Sequence, residues 1–427
     1  MGIAEERACD HRDERSMANE GSMTQSAHMA SDTFHVVNLG CKVNRVEADV
    51  IAASMISSGA VPVDESEADL IVVNTCTVTG EADKKARKAV RHALSCNDRA
   101  RVIVTGCAAA IEPRVFEDMD ARVQVVQRID LPGMLKTSGK QSAMRYGGGF
   151  RTRLNLKVQD GCDHACTYCI VHVARGKATS APFEHVLEEA RAYLSRGVKE
   201  IVLTGIDLSS YRDGGRTLSD LAEALVEEAD KACANSELPA RIRVSSTEPQ
   251  TLDARFVDLL AESDGRICRH LHLPLQSGSS KVLAEMARPY TAERYAELVG
   301  YLRERIPAIS LTTDIICGFP GETDDEFEET LELARLCKFS KIHVFPYSMR
   351  KGTPAALRED QIDPVVKAAR ATRLRDLSEI LRADDFAGRK GTVELAIVED
   401  DNALTESYHE LPIPESARQG ELVRVQL

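Results

Sequence analysis

The chain has no stretch approaching the roughly 18 consecutive apolar residues that a membrane span requires, so an integral helical membrane protein is not expected. Its N-terminus, MGIAEERACDHRDE, is polar and acidic and has none of the apolar core of a secretory signal, so a cytoplasmic protein is expected. Positive charge is not in excess: 54 Lys and Arg face 67 Asp and Glu, a formal net charge of −13. That balance argues against a surface built throughout to hold nucleic acid. A local basic patch is not excluded, because phosphate contacts depend on where the cations sit. No internal repeat is found, and no low-complexity segment beyond the N-terminal tail.

Cysteine is what the chain has in quantity, 12 in 427 residues. In a reducing compartment, clustered cysteines point to metal binding or catalysis rather than to disulfides. The length exceeds what one hydrophobic core organises, so two or three domains are expected. An apolar share of 43% supplies an ordinary core.

Residues 1–32 read as a disordered lead-in, polar and without periodicity, and Met17, Met23 and Met29 are alternative starts. From Phe34 the pattern is strand then helix, repeated. FHVVNLGC, LIVVNTC and RVIVTGC are apolar runs ending at cysteine, each followed by a helical stretch, and ARVQVV is a fourth strand. Continuous apolar strands alternating with helices predict a doubly wound parallel sheet over 33–143. A glycine linker follows at 147–149. The alternation then restarts on a larger scale, with strands at Arg153–Val158, Glu200–Thr204, Arg241–Ser245, His270–Leu275, Ser310–Ile316 and Lys341–Pro346. Six such units over 148–386, closed by a long charged helix from Pro364 to Phe386, predict a partial (β/α) barrel. Residues 387–427 hold TVELAIVE and ELVRVQL, enough for a small β domain. The fold class is α/β throughout, with that appendage.

Cys162, Cys166 and Cys169 form a CxxxCxxC run directly after the first barrel strand. Three soft thiolates within eight residues can hold one corner of an iron–sulfur cluster. A closed structural site takes four protein ligands, whereas three leave one iron open to chelate a small molecule. The competing reading is a zinc site that borrows His164 or His172 as a fourth ligand. Cys41, Cys76 and Cys107 are scattered in sequence, yet each sits at the carboxyl end of a predicted parallel strand beside a tight turn: LGC, NTC, TGC. Ligands of open α/β sheets bind beyond those ends, so the three thiols are expected to converge. The bland alternative is three small core residues. Cys9, Cys96, Cys233, Cys268, Cys317 and Cys337 share no spacing and read as structural, Cys317 being the doubtful one at the barrel mouth.

The CxxxCxxC run at a barrel mouth resembles the signature of the radical S-adenosylmethionine superfamily. The second triad resembles the N-terminal domain of its methylthiotransferases, and the C-terminal segment resembles their RNA-binding TRAM domain, with Thr405 and Tyr408 keeping part of that pattern. The resemblance implies two [4Fe-4S] clusters, one on Cys162, Cys166 and Cys169 and an auxiliary one on Cys41, Cys76 and Cys107, with all six cysteines catalytic. It implies that one S-adenosylmethionine methylates sulfur at the auxiliary cluster. A second is cleaved to a radical that abstracts hydrogen, so that the methylthio group joins the substrate. By position in LTGIDLSSY, RVSSTEP, HLPLQSGS and TDIICGFPGE, it points to Gly205, Asp207, Arg243, Ser245, Gln276 and Asp314 as S-adenosylmethionine contacts. The chain departs from the family at His172 and Thr179, where proline and arginine are usual, and keeps Arg175-Gly176.

LGCKVNRVEAD and NTCTVTGEADKKAR look like the branch acting on N6-threonylcarbamoyladenosine at tRNA position 37, with Lys42-Val43-Asn44 the most telling element. The other branches act on isopentenyladenosine in tRNA or on a ribosomal-protein aspartate. From a different class, a zinc-stabilised RNA-binding module competes. The implied partners are a tRNA anticodon loop, an electron donor such as a flavodoxin or ferredoxin, and a sulfur donor that the sequence does not identify. Residues 391–427 hold eight Asp or Glu against two Arg, so phosphate contacts are expected instead from Lys84, Lys85, Arg87, Lys88 and Arg91, and from Arg350, Lys351, Lys367, Arg370, Arg373 and Arg375.

Overall fold

The computed structural model describes residues 31–128, 152–233 and 237–427. The expected lead-in up to residue 30, and the linker at 147–149, lie outside the described residues. The N-terminal unit is a five-stranded parallel sheet in the order Val61–Pro62, Thr33–Asn38, Leu70–Thr75, Arg101–Gly106, Val123–Val125. The two-residue edge strand was not foreseen. Successive residues of the central strand face opposite ways: Leu70 and Val72 pack with Phe34, Ile51 and Met55, while Ile71 and Val73 pack with Val90, Val102 and Phe116. Helix Lys42–Ser57 therefore covers one face and helix Gly80–Cys96 the other, which makes the sheet doubly wound. The second helix starts where Thr79 accepts a hydrogen bond from the Ala82 amide at 3.1 Å, with Glu81 and Asp83 in its first turn. Each fully buried Val, Leu or Ile contributes about 1.5–3 kcal/mol to holding this sandwich together.

The central unit is an open barrel of six parallel strands. Arg241–Val244, Glu200–Thr204 and Arg153–Lys157 form one three-stranded sheet, and His270–His272, Ser310–Cys317 and Lys341–Pro346 another. Bridges Ile242 to Ile267 and Ser246 to His272 join the two. The fourth strand stops short of Leu275 because Pro274 lacks an amide to donate and Gln276 takes a positive φ of 71°.

These strands alternate. Leu154, Ile201, Ile242, Leu271, Leu311 and Ile342 join the apolar core beneath the helices. Their neighbours Glu200, Arg241, Arg243, His270, Ser310 and Thr312 are polar and buried. The barrel interior is thus polar. RLNLK, RIRVS, HLHLP and KIHVF carry that alternation in the sequence.

The C-terminal residues form a four-stranded antiparallel sheet packed against the barrel's lower end. Glu200 receives Nε of both Arg241 and Arg243 at 2.7 Å. The remaining guanidinium protons go to main-chain oxygens of the appendage: Arg241 to Leu395 at 2.7 Å, Arg243 to Thr405 at 3.1 Å and Glu406 at 2.8 Å. Burial alone would neutralise Glu200, but the two arginines outweigh it and hold the carboxyl well below its usual range. Arg243 is therefore a floor residue of the barrel. The expectation that it contacts S-adenosylmethionine is corrected, since its donors are spent on Glu200 and the appendage.

Candidate active site

The sheet order puts the strands ending near Cys41, Cys76 and Cys107 side by side, so topology alone gathers the scattered triad at one sheet edge. Gly106, immediately before Cys107, has φ of 93°, and a Cβ there would strike the Thr75 carbonyl. Only glycine allows that turn. Asn44 ties the first two loops, donating to the Thr75 carbonyl at 3.0 Å and receiving the Cys41 thiol at 3.3 Å. Burial pushes the Cys76 thiol up and the Cys107 thiol up to about 11.

The local triad lies in a loop held by its own backbone. The Cys162 amide donates to the Gly176 carbonyl at 3.1 Å and the Cys169 amide to the Cys166 carbonyl at 3.1 Å. Donors surround the sulfurs: the His164 amide to Cys162 and the Val171 amide to Cys169, both at 3.4 Å, and Arg288 Nη1 to Cys166 at 3.3 Å. Burial pushes the Cys162 thiol up to about 12 and raises that of Cys169. Without a cation these thiols stay protonated at neutral pH, and a bound metal would supply the charge that makes them thiolates. Among the described residues neither triad draws its three sulfurs within 4.8 Å of one another. A single tetrahedral zinc sets its sulfurs about 3.8 Å apart, closer than all three sulfurs of either triad stand. His164, one suggested zinc ligand, places Nε2 3.2 Å from Asp207.

Arg175 joins the two triads. It follows the third loop cysteine, and its Nε donates to Cys107 at 3.2 Å while Nη1 reaches Glu47 at 3.0 Å and Asp160 at 2.9 Å. Lys157 bonds the same two carboxylates at 2.8 Å each. Sequence reasoning noted Arg175 without a role, and missed Glu47 and Asp160, whose bonds to Arg175 span 128 and 15 residues.

Gln159 is a second missed residue. Its Oε1 accepts from the amides of Ile206 at 2.9 Å and Asp207 at 2.8 Å, fixing the LTGIDL turn against the first strand. A Cβ on Gly205 would come within 2.9 Å of that oxygen. Asp207 spends its carboxylate on His164 and Ser209, so it braces the cysteine loop. Gln276 bridges to the fifth strand through its backbone.

A cavity of about 440 Å³ opens between Cys41 of the N-terminal unit and the inner face of the barrel. Cys41 and Lys42 line it from the N-terminal unit; Gly205, Ser245 and Asp314 line it from the barrel. The inner face adds His270, His272, Lys341 and His343, and Tyr408 enters from the appendage. The alternating strands were the signal for these inward residues. Burial lowers the pKa of His270 and His343, so both rings are neutral.

The two expected basic surfaces differ. Lys84, Lys85, Lys88 and Arg91 are exposed and have no ion-pair partner among the described residues. The second group is largely spent inside the molecule. Arg350 is buried against Thr77 and Asp83, Arg370 against Glu322 and Asp324, and Arg373 pairs with Glu328. Lys351 lies 3.6 Å from Glu112 and Lys367 packs over the Tyr347 ring, so the expectation that this region forms a phosphate-binding surface narrows to Arg375. Cys317 is fully buried in the barrel core, among apolar neighbours.

Two family models match, the radical SAM superfamily over residues 156–334 and the uncharacterized protein family UPF0004 over 33–127. The first places the barrel and its cysteine loop in the class of radical S-adenosylmethionine proteins. A threonylcarbamoyladenosine tRNA methylthiotransferase of Bacillus subtilis is 37% identical over 87% of this chain and 85% of its own length, and one of Thermotoga maritima is 34% identical over 81% of each. A tRNA-2-methylthio-N(6)-dimethylallyladenosine synthase of Anoxybacillus flavithermus is 35% identical over 86% of this chain and 74% of its own. The chain belongs to the radical S-adenosylmethionine methylthiotransferase family. A solved radical S-adenosylmethionine methyltransferase from Kitasatospora setae, TsrM with cobalamin and a [4Fe-4S] cluster bound, shares the fold with a TM-score of 0.55, at 16% identity over 77% of each chain.

Proposed function

We propose that this enzyme converts N6-threonylcarbamoyladenosine in tRNA to its 2-methylthio form, using S-adenosylmethionine and two four-iron clusters. The observation that carries the reading is the single cavity whose wall joins Cys41 of one triad to Gly205, Ser245 and Asp314 of the barrel. Both donor sets are sulfur only, three per site, which suits an iron–sulfur cluster with one iron left open. A cluster on Cys162, Cys166 and Cys169 supplies, when bound, the electron that cleaves S-adenosylmethionine, and one on Cys41, Cys76 and Cys107 supplies the sulfur.

The chain's own residues do the rest. Arg288 and the amides of His164 and Val171 donate to the loop sulfurs, which stabilises thiolate charge without a covalent bond. Gln159 and Asp207 hold the Gly205 turn at the cavity, and Gly205, Ser245 and Asp314 are our candidates for orienting the cofactor's methionine and ribose. Arg175 fixes the distance between the two sites by bonding Cys107 while anchored on the cysteine loop's own element. The cavity is open on one side, so the bound substrate itself would have to cover that side to keep a reactive intermediate from bulk water. An adenine can enter it only when unpaired and splayed out, as in an anticodon loop. Phosphates would lie along Lys84, Lys85 and Lys88 on the helix after Cys76, and a flavodoxin or ferredoxin would supply electrons.

Nucleoside mass spectrometry of tRNA from cells with and without the gene tests this. Loss of 2-methylthio-N6-threonylcarbamoyladenosine on deletion, with the unmethylthiolated nucleoside accumulating, is the expected result. The 35% identical dimethylallyladenosine relative supports a second reading. Loss of the isopentenyl derivative instead would select it.

A further inference from the structure

The cavity has an unusual charge balance. Lys42, Lys341 and Arg382 line it, against the carboxylates of Asp314 and Glu410. Asp314 is already met by His272, whose Nε2 lies 3.3 Å away. Lys42 Nζ contacts only neutral groups, the hydroxyls of Ser245 at 3.5 Å and Tyr408 at 3.3 Å. Neither Lys42 nor Lys341 has a carboxylate within 4.0 Å among the described residues. Arg382 gives one proton to the Tyr408 carbonyl at 3.3 Å. Burial alone would raise the Tyr408 hydroxyl, yet Lys42, Arg243 and Arg153 outweigh it and hold that group below its usual range. Tyr408 itself sits at φ 68°, a conformation uncommon for a bulky residue, and is held there between His270 and Arg243.

We infer that Lys42, Lys341 and Arg382 form an anion subsite that takes the carboxylate of the adenosine's N6 substituent and so selects which modified adenosine is accepted. This rests on the proposed function. A threonylcarbamoyl group carries a carboxylate and a hydroxyl. An isopentenyl group is wholly apolar. Seating the first in this cavity pairs unpaired ammonium groups and offers its hydroxyl to Thr312 or Tyr408. Seating the second desolvates the same cations with nothing in return, which is a repulsive element against the wrong substrate. A site built to bond a polar group rejects the analogue that lacks it far more strongly than an apolar site rejects a polar one.

The test uses the full-length, anaerobically reconstituted enzyme. Anticodon stem-loop RNAs carry threonylcarbamoyladenosine, its methyl ester, or isopentenyladenosine, and methylthiolation is followed for the wild type, Lys341→Met and Lys341→Arg. The wild type is expected to show a KM about tenfold higher for the ester than for the acid. Lys341→Met should raise KM for the acid and reduce that ratio to about twofold, with Lys341→Arg keeping it, while S-adenosylmethionine cleavage without RNA reports that each variant folds. A wild type that methylthiolates acid and ester equally overturns the subsite and leaves the proposed function standing. A Lys341→Met loss that is equal for acid and ester assigns the lysine to RNA phosphate and also overturns it. A wild type active on the isopentenyl loop alone removes the functional reading itself, and the subsite with it.

Discussion

The two cysteine triads are assembled by opposite routes. Cys162, Cys166 and Cys169 lie within one short loop, so local backbone bonds hold their sulfurs: the amides of His164 and Val171 point at them and the Gly176 carbonyl pins the loop's start. Cys41, Cys76 and Cys107 have no such local frame. Adjacent parallel strands bring them together, and Asn44 and Arg175 tie the ends. A local site survives as long as its loop does. A topological site survives only as long as the sheet does, and it borrows its last support from another domain.

The largest difference should appear in division of labour. Alanine at Cys162, Cys166 and Cys169 together is expected to abolish S-adenosylmethionine cleavage, measured as 5′-deoxyadenosine. Alanine at Cys41, Cys76 and Cys107 should leave that cleavage intact and stop methylthiolation. Loss of both activities in the second variant would mean these cysteines serve the fold.

Next in size is the bridge between the triads. Arg175→Met removes the cation that Glu47 and Asp160 share, leaving buried carboxylates with Lys157 and Arg128 alone. A cost of about 3–5 kcal/mol is expected in denaturant unfolding. Arg175, Lys157 and, for Asp160, Arg128 outweigh burial, so both carboxyls titrate below their usual range. Their contribution is therefore complete above about pH 4 and declines as pH falls below it, because protonation then opposes the native ion pairs. In the Met variant that acid-side decline should flatten. An unchanged profile would show that Arg175 does not set these groups.

The smallest effect separates the surfaces around the triads. Neutralising Lys84, Lys85 and Lys88, beside the topological triad, should reduce the salt slope of tRNA affinity by about one unit per lost phosphate contact. Neutralising Arg373, paired with Glu328, should change it little. The opposite pattern would move the RNA to the barrel side.

Much of this was legible in the sequence. The second and sixth barrel strands run as their apolar content predicted, Glu200–Thr204 and Lys341–Pro346, because burial on the helix side is a local signal. The three LGC, NTC and TGC ends were legible because parallel topology converts equal position on a strand into proximity. Arg243 misled, since a strand-end arginine reads alike whether it faces a ligand or an ion pair with Glu200. Arg350 and Arg370 misled for the same reason: charge is visible in sequence, and its pairing with Asp83 or Glu322 is not. The acidic appendage was read as a minor RNA element, whereas its main-chain oxygens close the barrel floor.

Metal analysis tests the two-site account most directly. Iron and acid-labile sulfide should stand at about eight each per wild-type chain after anaerobic reconstitution, and at about four in either triple-alanine variant. A variant that keeps the full wild-type iron, or a wild type that holds zinc without sulfide, would contradict it.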